Sequence, residues 1–347
     1  MTEAPRRVSL ADVARRAGVS PITVSRVSNG FPGVAEPTRQ SVVDAMRELG
    51  YRPNGAARAL KSGRFRTLGV ILHSMSTTGN VRTVDAIAAA AAGHGYATTL
   101  LPVGAEAPFG SRGAFTRLQE LAVDAIIVIT EANLNRAESV ALLPDVPVIV
   151  VDSAPGGGFR VIDTDQRAGA RAAVRHLLHL GHPTVWHITG PADSFAGRQR
   201  TAAWRRTLRN AGRMVPPALV GDWTADSGYR AGLRLADEPE CVAVFAGNDE
   251  MALGVLRAMR DRGRDVPDHV SVVGFDDIEV AANAIPPLTT VRQDFDQVGQ
   301  RCVQEALSQV RHGRIRKPGA NRTDTILVRP ELVVRHSTAP SRAGHRR

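Results

Sequence analysis

Apolar residues follow two different rhythms along the chain, and the change falls near Thr67. Before it, short stretches repeat at helical spacing. Leu10, Val13, Ala14 and Ala17 form one apolar helical face. Ser9 with Asp12 three residues later predicts a capping box, and Gly18 a left-handed stop. Ser20 followed by Pro21 predicts the start of a second helix. Val24 and Val27 would face inward on it, and Pro21, Ile22, Ser25 and Arg26 outward. A third helix is expected from Glu36 to Leu49, striped by Val42, Val43, Met46 and Leu49 and ended by Gly50. Ala35, at its cap position, has no side-chain acceptor. Two short helices on a tight turn, closed by a third, have the layout of a helix-turn-helix whose second helix enters the major groove.

After Thr67 short apolar runs alternate with amphipathic stretches. Strands are expected at Leu68–Leu72, Ala125–Ile129, Val148–Val151, Val185–Thr189, Val242–Ala246, Val270–Gly274, Thr289–Val291 and Ile326–Val328. Helices are expected at Val84–His94, Arg167–Leu180, Arg198–Asn210, Gly228–Ala236, Asp249–Arg262 and Phe295–Arg311. Strands followed by helices predict parallel sheets wound on both sides. The expected fold is therefore α/β: a helix-turn-helix headpiece (1–52), a short helix-prone linker (53–66), a two-lobed doubly wound core (67–336) and a disordered basic tail (337–347). The chain should cross between lobes near Pro155–Arg160 and near Pro286–Gln293. Gly156-Gly157-Gly158 lacks the Lys-Ser/Thr of a phosphate loop and reads as a connection.

Charge sharpens the picture. Residues 1–66 hold twelve Lys/Arg against five acids, a net +7 of the chain's +10. Residues 335–347 add four arginines and no acid, so the body between is close to neutral. Positive charge gathered at one end suits phosphate binding. No apolar stretch reaches bilayer length and no apolar signal region precedes the first helix, so a cytoplasmic location without membrane contact is expected. The two cysteines, Cys241 and Cys302, lie alone among strand or helix residues and read as reduced thiols. His176, His179 and His182 have no acidic or thiol partner in sequence, so no metal and no cofactor is expected.

Four segments now carry a resemblance. Leu10-Ala11-Asp12-Val13-Ala14, Gly18-Val19-Ser20, Thr23-Val24-Ser25-Arg26-Val27 and Tyr51-Arg52-Pro53-Asn54 resemble the headpiece of the lactose-repressor (LacI/GalR) family. The similarity runs from about Ser9 to Ala339. It implies DNA contacts from Ser20, Pro21, Ile22, Thr23, Ser25, Arg26, Asn29, Thr38 and Tyr51, and from Asn54, Ala57 and Leu60 in the linker 53–66, a hinge helix that orders on DNA. Ala57 and Leu60 match the family's minor-groove residues. The family's core resembles periplasmic sugar-binding proteins, with an effector held between the lobes. His73, Asp152, Arg200, Trp223, Asn248, Asp276, Gln293 and Phe295 match its pocket positions. Several of them follow strands directly, where open α/β sheets bind ligands. Asp249 reads as a helix cap. His73 and Ala196 replace small hydroxyl residues of lactose-repressor relatives.

The resemblance implies a repressor, not an enzyme. It would bind double-stranded, pseudo-palindromic operator DNA as a homodimer and be released by a small sugar, a β-galactoside or β-glucoside. Alternatives are the same protein with the ligand as co-repressor, a sugar receptor, or a glycoside hydrolase using Asp276-Asp277. A receptor should carry a signal peptide and no basic headpiece. A hydrolase needs two separated carboxylates, whereas adjacent residues at a strand end point apart. Residues 337–347 contain no Leu, Ile or Val for a leucine seam, so assembly beyond a dimer is not expected.

Overall fold

The computed structural model describes residues 8–52, 63–72, 74–103, 117–118, 120–129, 146–153, 159–313 and 325–341. The chain divides into two units at Phe65 and Arg66.

The first unit is three helices: α1 (Leu10–Ala17), α2 (Pro21–Ser28) and α3 (Glu36–Glu48). Their ends follow from local chemistry. The Ser9–Asp12 capping box forms in both directions, and Gly18 stops α1 in the left-handed region. Ser20 caps α2 ahead of Pro21, its side chain accepting from the Thr23 N–H at 3.1 Å. Ala35 gives α3 no side-chain cap. Val13, Ala14, Val24, Val27, Val42 and Ala45 make the core, with Leu49 and Tyr51 packed against it.

The second unit holds two parallel sheets. The first lobe has β1 (Thr67–Leu72), β2 (Ala97–Pro102), β3 (Ala125–Ile129), β4 (Val148–Val151), β5 (Arg160–Thr164) and β11 (Thr325–Val328), in the order β11-β5-β4-β3-β1-β2. Helices α4 (Thr78–Gly93) and α10 (Phe295–His312) cover one face. The second lobe has β6 (Trp186–Thr189), β7 (Leu219–Val220), β8 (Ala243–Ala246) and β9 (Ser271–Val273), in the order β7-β6-β8-β9. One face of this sheet buries Ala173, Val174 and Leu177 of α5 (Gln166–His179) with Trp204 and Leu208 of α6 (Phe195–Asn210). The other buries Leu235 of α7 (Ala225–Ala236) with Val255 and Met259 of α8 (Asp249–Asp261). A short α9 (Glu279–Asn283) precedes β10 (Thr290–Arg292), which pairs antiparallel with β12 (Glu331–Val333).

Helices α7 and α8 cross with almost no side chain between them. A Cβ on Gly254 would lie 2.1 Å from the Ala225 carbonyl oxygen, and one on Gly228 2.2 Å from that of Met251. Backbone cannot give way as a side chain tip can. Gly254→Ala should therefore destabilise the core by about 3 kcal/mol, the upper end of overpacking costs. Urea unfolding checks this; a midpoint equal to that of the parent chain contradicts it.

Two sequence expectations need correction. The first crossing between lobes is not at 155–160, because Arg160–Thr164 is a strand of the first lobe and the chain leaves it at Asp165. The second lies at Gln293-Asp294, at the end of the expected stretch 286–293, and a third follows β11 at Arg329-Pro330. Residues 337–341 are not a disordered tail. The buried Ser337 hydroxyl donates to the Val272 carbonyl at 2.6 Å and accepts from the Thr289 N–H at 2.8 Å. His176 and His182 hold the same segment through Thr338 and the Ala339 carbonyl. Burial keeps both rings below the ordinary histidine value. The segment fills the edge of the second sheet, where polar residues find backbone partners that composition does not reveal.

Candidate functional site

On the headpiece, α2 presents its outer face. Ile22 is 73% exposed, and Pro21 and Arg26 are also exposed. Arg26 donates one N–H to the Pro32 carbonyl at 3.1 Å, and Arg39 donates to that of Phe31 at 3.1 Å. These two arginines fasten the loop after α2, and Arg26 keeps further donors on its exposed side. Asn29 donates to the Ser25 carbonyl at 2.6 Å. Ser20 and Thr23 hydroxyls bond each other at 2.9 Å. Thr38 is half-buried on α3. Tyr51 rests on the core, so any contact it makes comes from a fixed side chain. Asn54, Ala57 and Leu60 lie outside the described residues.

In the second unit a cleft of about 650 Å³, its open mouth included, lies between the two lobes. Asp152, Arg200, Trp223, Asn248, Asp276, Gln293 and Phe295 all line it. They are far apart in sequence; Arg200 reaches in from α6, and the others stand where a strand or crossing ends. Ala196 lines it too; His73 lies outside the described residues. The backbone is strained here: Asp152, Trp223 and Asp276 have φ of 55°, 72° and 115°. Such conformations cost about 1–3 kcal/mol each and gather at ligand sites.

At the cleft floor four side chains form a closed ring. Arg200 Nε donates to Gln166 Oε1 at 2.8 Å, and Gln166 Nε2 to Gln293 Oε1 at 3.3 Å. Gln293 Nε2 donates to Asp276 Oδ1 at 2.6 Å, and the Arg200 guanidinium returns to that oxygen at 3.5 Å. Gln166 and Gln293 stand at the first two lobe crossings. Each crossing opens a helix capped by an aspartate, Asp165 on α5 and Asp294 on α10. The ring thus ties the crossings to a charged pair in the cleft.

Burial sets the electrostatics. Arg200 is 4% exposed and Asp276 7% exposed. Desolvation pushes Asp276 up to about 6, against the pull of Arg200. Asp163, also lining the cleft, is pushed up to about 7 by burial, although the Thr164 N–H and Gln166 oppose the shift. Arg200 itself is lowered by desolvation, while Asp276 and Asp152 hold it charged. Its guanidinium carbon lies 3.7 Å from the Phe275 ring centre and 5.5 Å from that of Trp223. The indole rests on bare backbone: a Cβ on Gly190 would come within 2.0 Å of it.

Asp249 is not the cap of α8. Asn248 is, its side-chain oxygen accepting from the Met251 N–H at 3.0 Å. The Asn248 amide donates to the Trp223 carbonyl at 2.9 Å and to Glu250 at 2.8 Å, so it positions the tryptophan loop. Asp249 is fully buried and accepts from the Ile278 N–H at 2.9 Å and the Thr290 hydroxyl at 2.5 Å. Both expectations fit an acid after a strand; only the partners decide. Sequence reasoning also missed Gln166, Asp163 and the pair Thr78–Glu250, which bond across the cleft from opposite lobes. No spacing or motif marks them, because each acquires its partner only from the fold.

Asp277 does not line the cleft with Asp276. It is bound by Arg292 and Arg335, each at 2.6 Å. The two adjacent acids therefore do not flank one substrate bond.

Known proteins match both units. Residues 9–54 match the model of bacterial regulatory proteins, lacI family, and residues 174–338 that of a periplasmic binding protein-like domain. The ribose operon repressor of Escherichia coli (strain K12) is 31% identical over 306 residues, 87% of this chain and 93% of the relative. The lactose operon repressor of Klebsiella pneumoniae is 34% identical over 351 residues, 99% and 96% of the two chains. A crystal structure of the Lac repressor dimer bound to operator and the anti-inducer ONPF superposes with a TM-score of 0.84 at 32% identity, covering 96% of this chain and all of that one. With a helix-turn-helix in one unit, a two-lobed cleft in the other and these relatives along its length, the chain belongs to the lacI family of bacterial DNA-binding transcriptional repressors.

Proposed function

We propose that the chain is a cytoplasmic repressor that holds a pseudo-palindromic operator as a homodimer and releases it when a β-linked sugar, a β-galactoside or β-glucoside, enters the cleft. The observation that carries the effector class is the pairing of an indole face with charged hydrogen-bonding groups around one cleft. Trp223 would cover the apolar face of a pyranose. Arg200 and Asp276 would meet neighbouring hydroxyls as donor and acceptor, with Asp152, Gln293 and Phe295 completing the wall. Asn248 would act by holding the Trp223 loop. The lactose operon repressor relative supports a β-galactoside. The ribose operon repressor relative supports sugars more generally. The operator-bound Lac repressor dimer supports dimeric half-site reading. His73, Asn54, Ala57 and Leu60 enter this reading through their sequence positions only.

Release follows from shared equilibrium: a ligand that prefers one lobe angle shifts the population of the DNA-competent form. The ring through Gln166 and Gln293 is the part of the cleft that such a change would strain.

For the DNA side, Arg26 is the guanine reader, and Pro21 and Ile22 contribute apolar contacts. Arg26→Ala should cost about 1–3 kcal/mol of base discrimination. Its salt-sensitive non-specific binding should persist. DNase protection of the cognate operator decides it: an unaltered footprint on the Arg26→Ala protein contradicts the assignment.

A further inference from the structure

The second lobe has two faces of opposite charge. Residues 166–217 contain nine arginines, of which Arg200 is buried in the cleft, and one acid, Asp193. Residues 218–270 contain six arginines and ten acids. The first segment carries α5 and α6, packed side by side over one face of the sheet. The second carries α7 and α8 over the other.

On α5, Arg167, Arg171 and Arg175 stand four residues apart, a spacing of about 6 Å along one side of a helix. On α6, Arg205, Arg206 and Arg209 are exposed. Among the described residues no carboxylate pairs with any of these six. On the opposite face arginines are paired: Arg230 with Asp226, Arg257 with Asp261 and Arg262 with Asp237. Ser341 N–H donates to the Leu180 carbonyl at the end of α5, at 2.7 Å, and three more arginines follow in sequence.

We propose that this α5–α6 face is a second, sequence-independent binding surface for double-stranded DNA. Its occupant is chosen by chemistry. A protein partner needs an apolar anchor at the interface centre. The two helices expose no large hydrophobic side chain, and the exposed Met214 lies past the end of α6. A face of guanidinium groups with no large exposed apolar side chain between them matches a phosphate backbone, whose interfaces are polar and strongly positive. The chain's established DNA binding keeps duplex close by. A dimer seated on its operator could then hold a second stretch of duplex. This rests on the repressor reading, and the test separates the two.

The full-length protein is first saturated with a short operator duplex, which occupies the headpieces. A fluorescent 40-bp duplex without the operator is then added at about 50 mM salt, and capture is read by anisotropy. The wild type should capture it, with affinity falling steeply as salt rises. Replacing Arg171, Arg175, Arg205 and Arg209 together by Gln should weaken capture at least tenfold and lower the log–log salt slope by about 3–4. Operator affinity and melting temperature should stay unchanged. Arg234→Gln with Arg260→Gln, on the opposite face, should leave capture intact. No capture by the wild type, or equal capture by the fourfold variant, overturns the proposal. So does stronger displacement of the labelled duplex by polyglutamate than by unlabelled DNA, which would indicate an acidic protein partner. Failure at the first step, with no operator bound, would instead overturn the repressor reading.

Discussion

Arg200→Ala is expected to lower core stability by about 3–5 kcal/mol, the cost of breaking a buried ion pair from one side. Asp276 would lose its only cation within 4 Å among the described residues, and Gln166 would lose its donor. The Phe275 and Trp223 faces would lose the cation they flank. The Gly247 carbonyl, which also accepts from Arg200, would be left without that donor. The loss should be confined to the core, with the headpiece melting as before. Chemical unfolding followed by Trp204, the fully buried tryptophan, reads the core directly. A change below about 1 kcal/mol would mean that the ring contributes nothing to holding the lobes.

Asp276→Asn should leave operator binding intact and remove the response to sugar. The substitution keeps shape but replaces a charged acceptor, and hydrogen bonds to charged groups contribute about 1.5–3 kcal/mol. Sugar affinity should fall roughly tenfold to a hundredfold, by calorimetric titration. The same carboxylate gives a pH signature. Its folded value of about 6 lies above the ordinary 3.8, so its ionisation opposes folding. That contribution to stability is fully present below about pH 4 and is lost as pH rises through about 6. Binding has the opposite sign, because a hydroxyl donates to the ionised form. Sugar affinity in the wild type should therefore decline as pH falls through about 6, and the Asn variant should lack that decline. A variant that keeps the wild-type profile removes Asp276 from the contact.

Helix ends in the headpiece were legible in sequence because caps are local, whereas in the core α4 begins at Thr78, six residues before the expected Val84. Ser9 with Asp12, Gly18, Ser20 with Pro21, and the missing cap at Ala35 all depend on atoms within four residues. The buried strands were legible from their apolar runs. Strand β2 was not, since its residues are half-exposed and neither alternate nor cluster. Strand β5 was hidden by its polar ends, Arg160 and Asp163-Thr164, which gain partners only from the fold, Arg160 from Glu305 on α10. The same cause hid the true crossings and the packed segment 337–341. In the cleft, residues carried by the family resemblance were brought together. Gln166, Asp163 and Glu250 were not foreseen, because a glutamine at a helix start or an acid at a strand end has no pattern of its own.

A sugar in this cleft is proposed to control release of the operator. The direct measurement is titration of the dimer–operator complex with β-galactosides, β-glucosides and cello-oligosaccharides, reading operator release and tryptophan fluorescence in one cuvette. Because ligand and operator share one equilibrium, the factor by which sugar weakens operator binding must equal the factor by which operator weakens sugar binding. Saturable release by a β-linked sugar is expected, with a fluorescence change absent from Trp223→Phe. Tightening of the operator complex by sugar, or release by a purine nucleobase or an α-linked sugar while β-linked sugars leave it untouched, would contradict it.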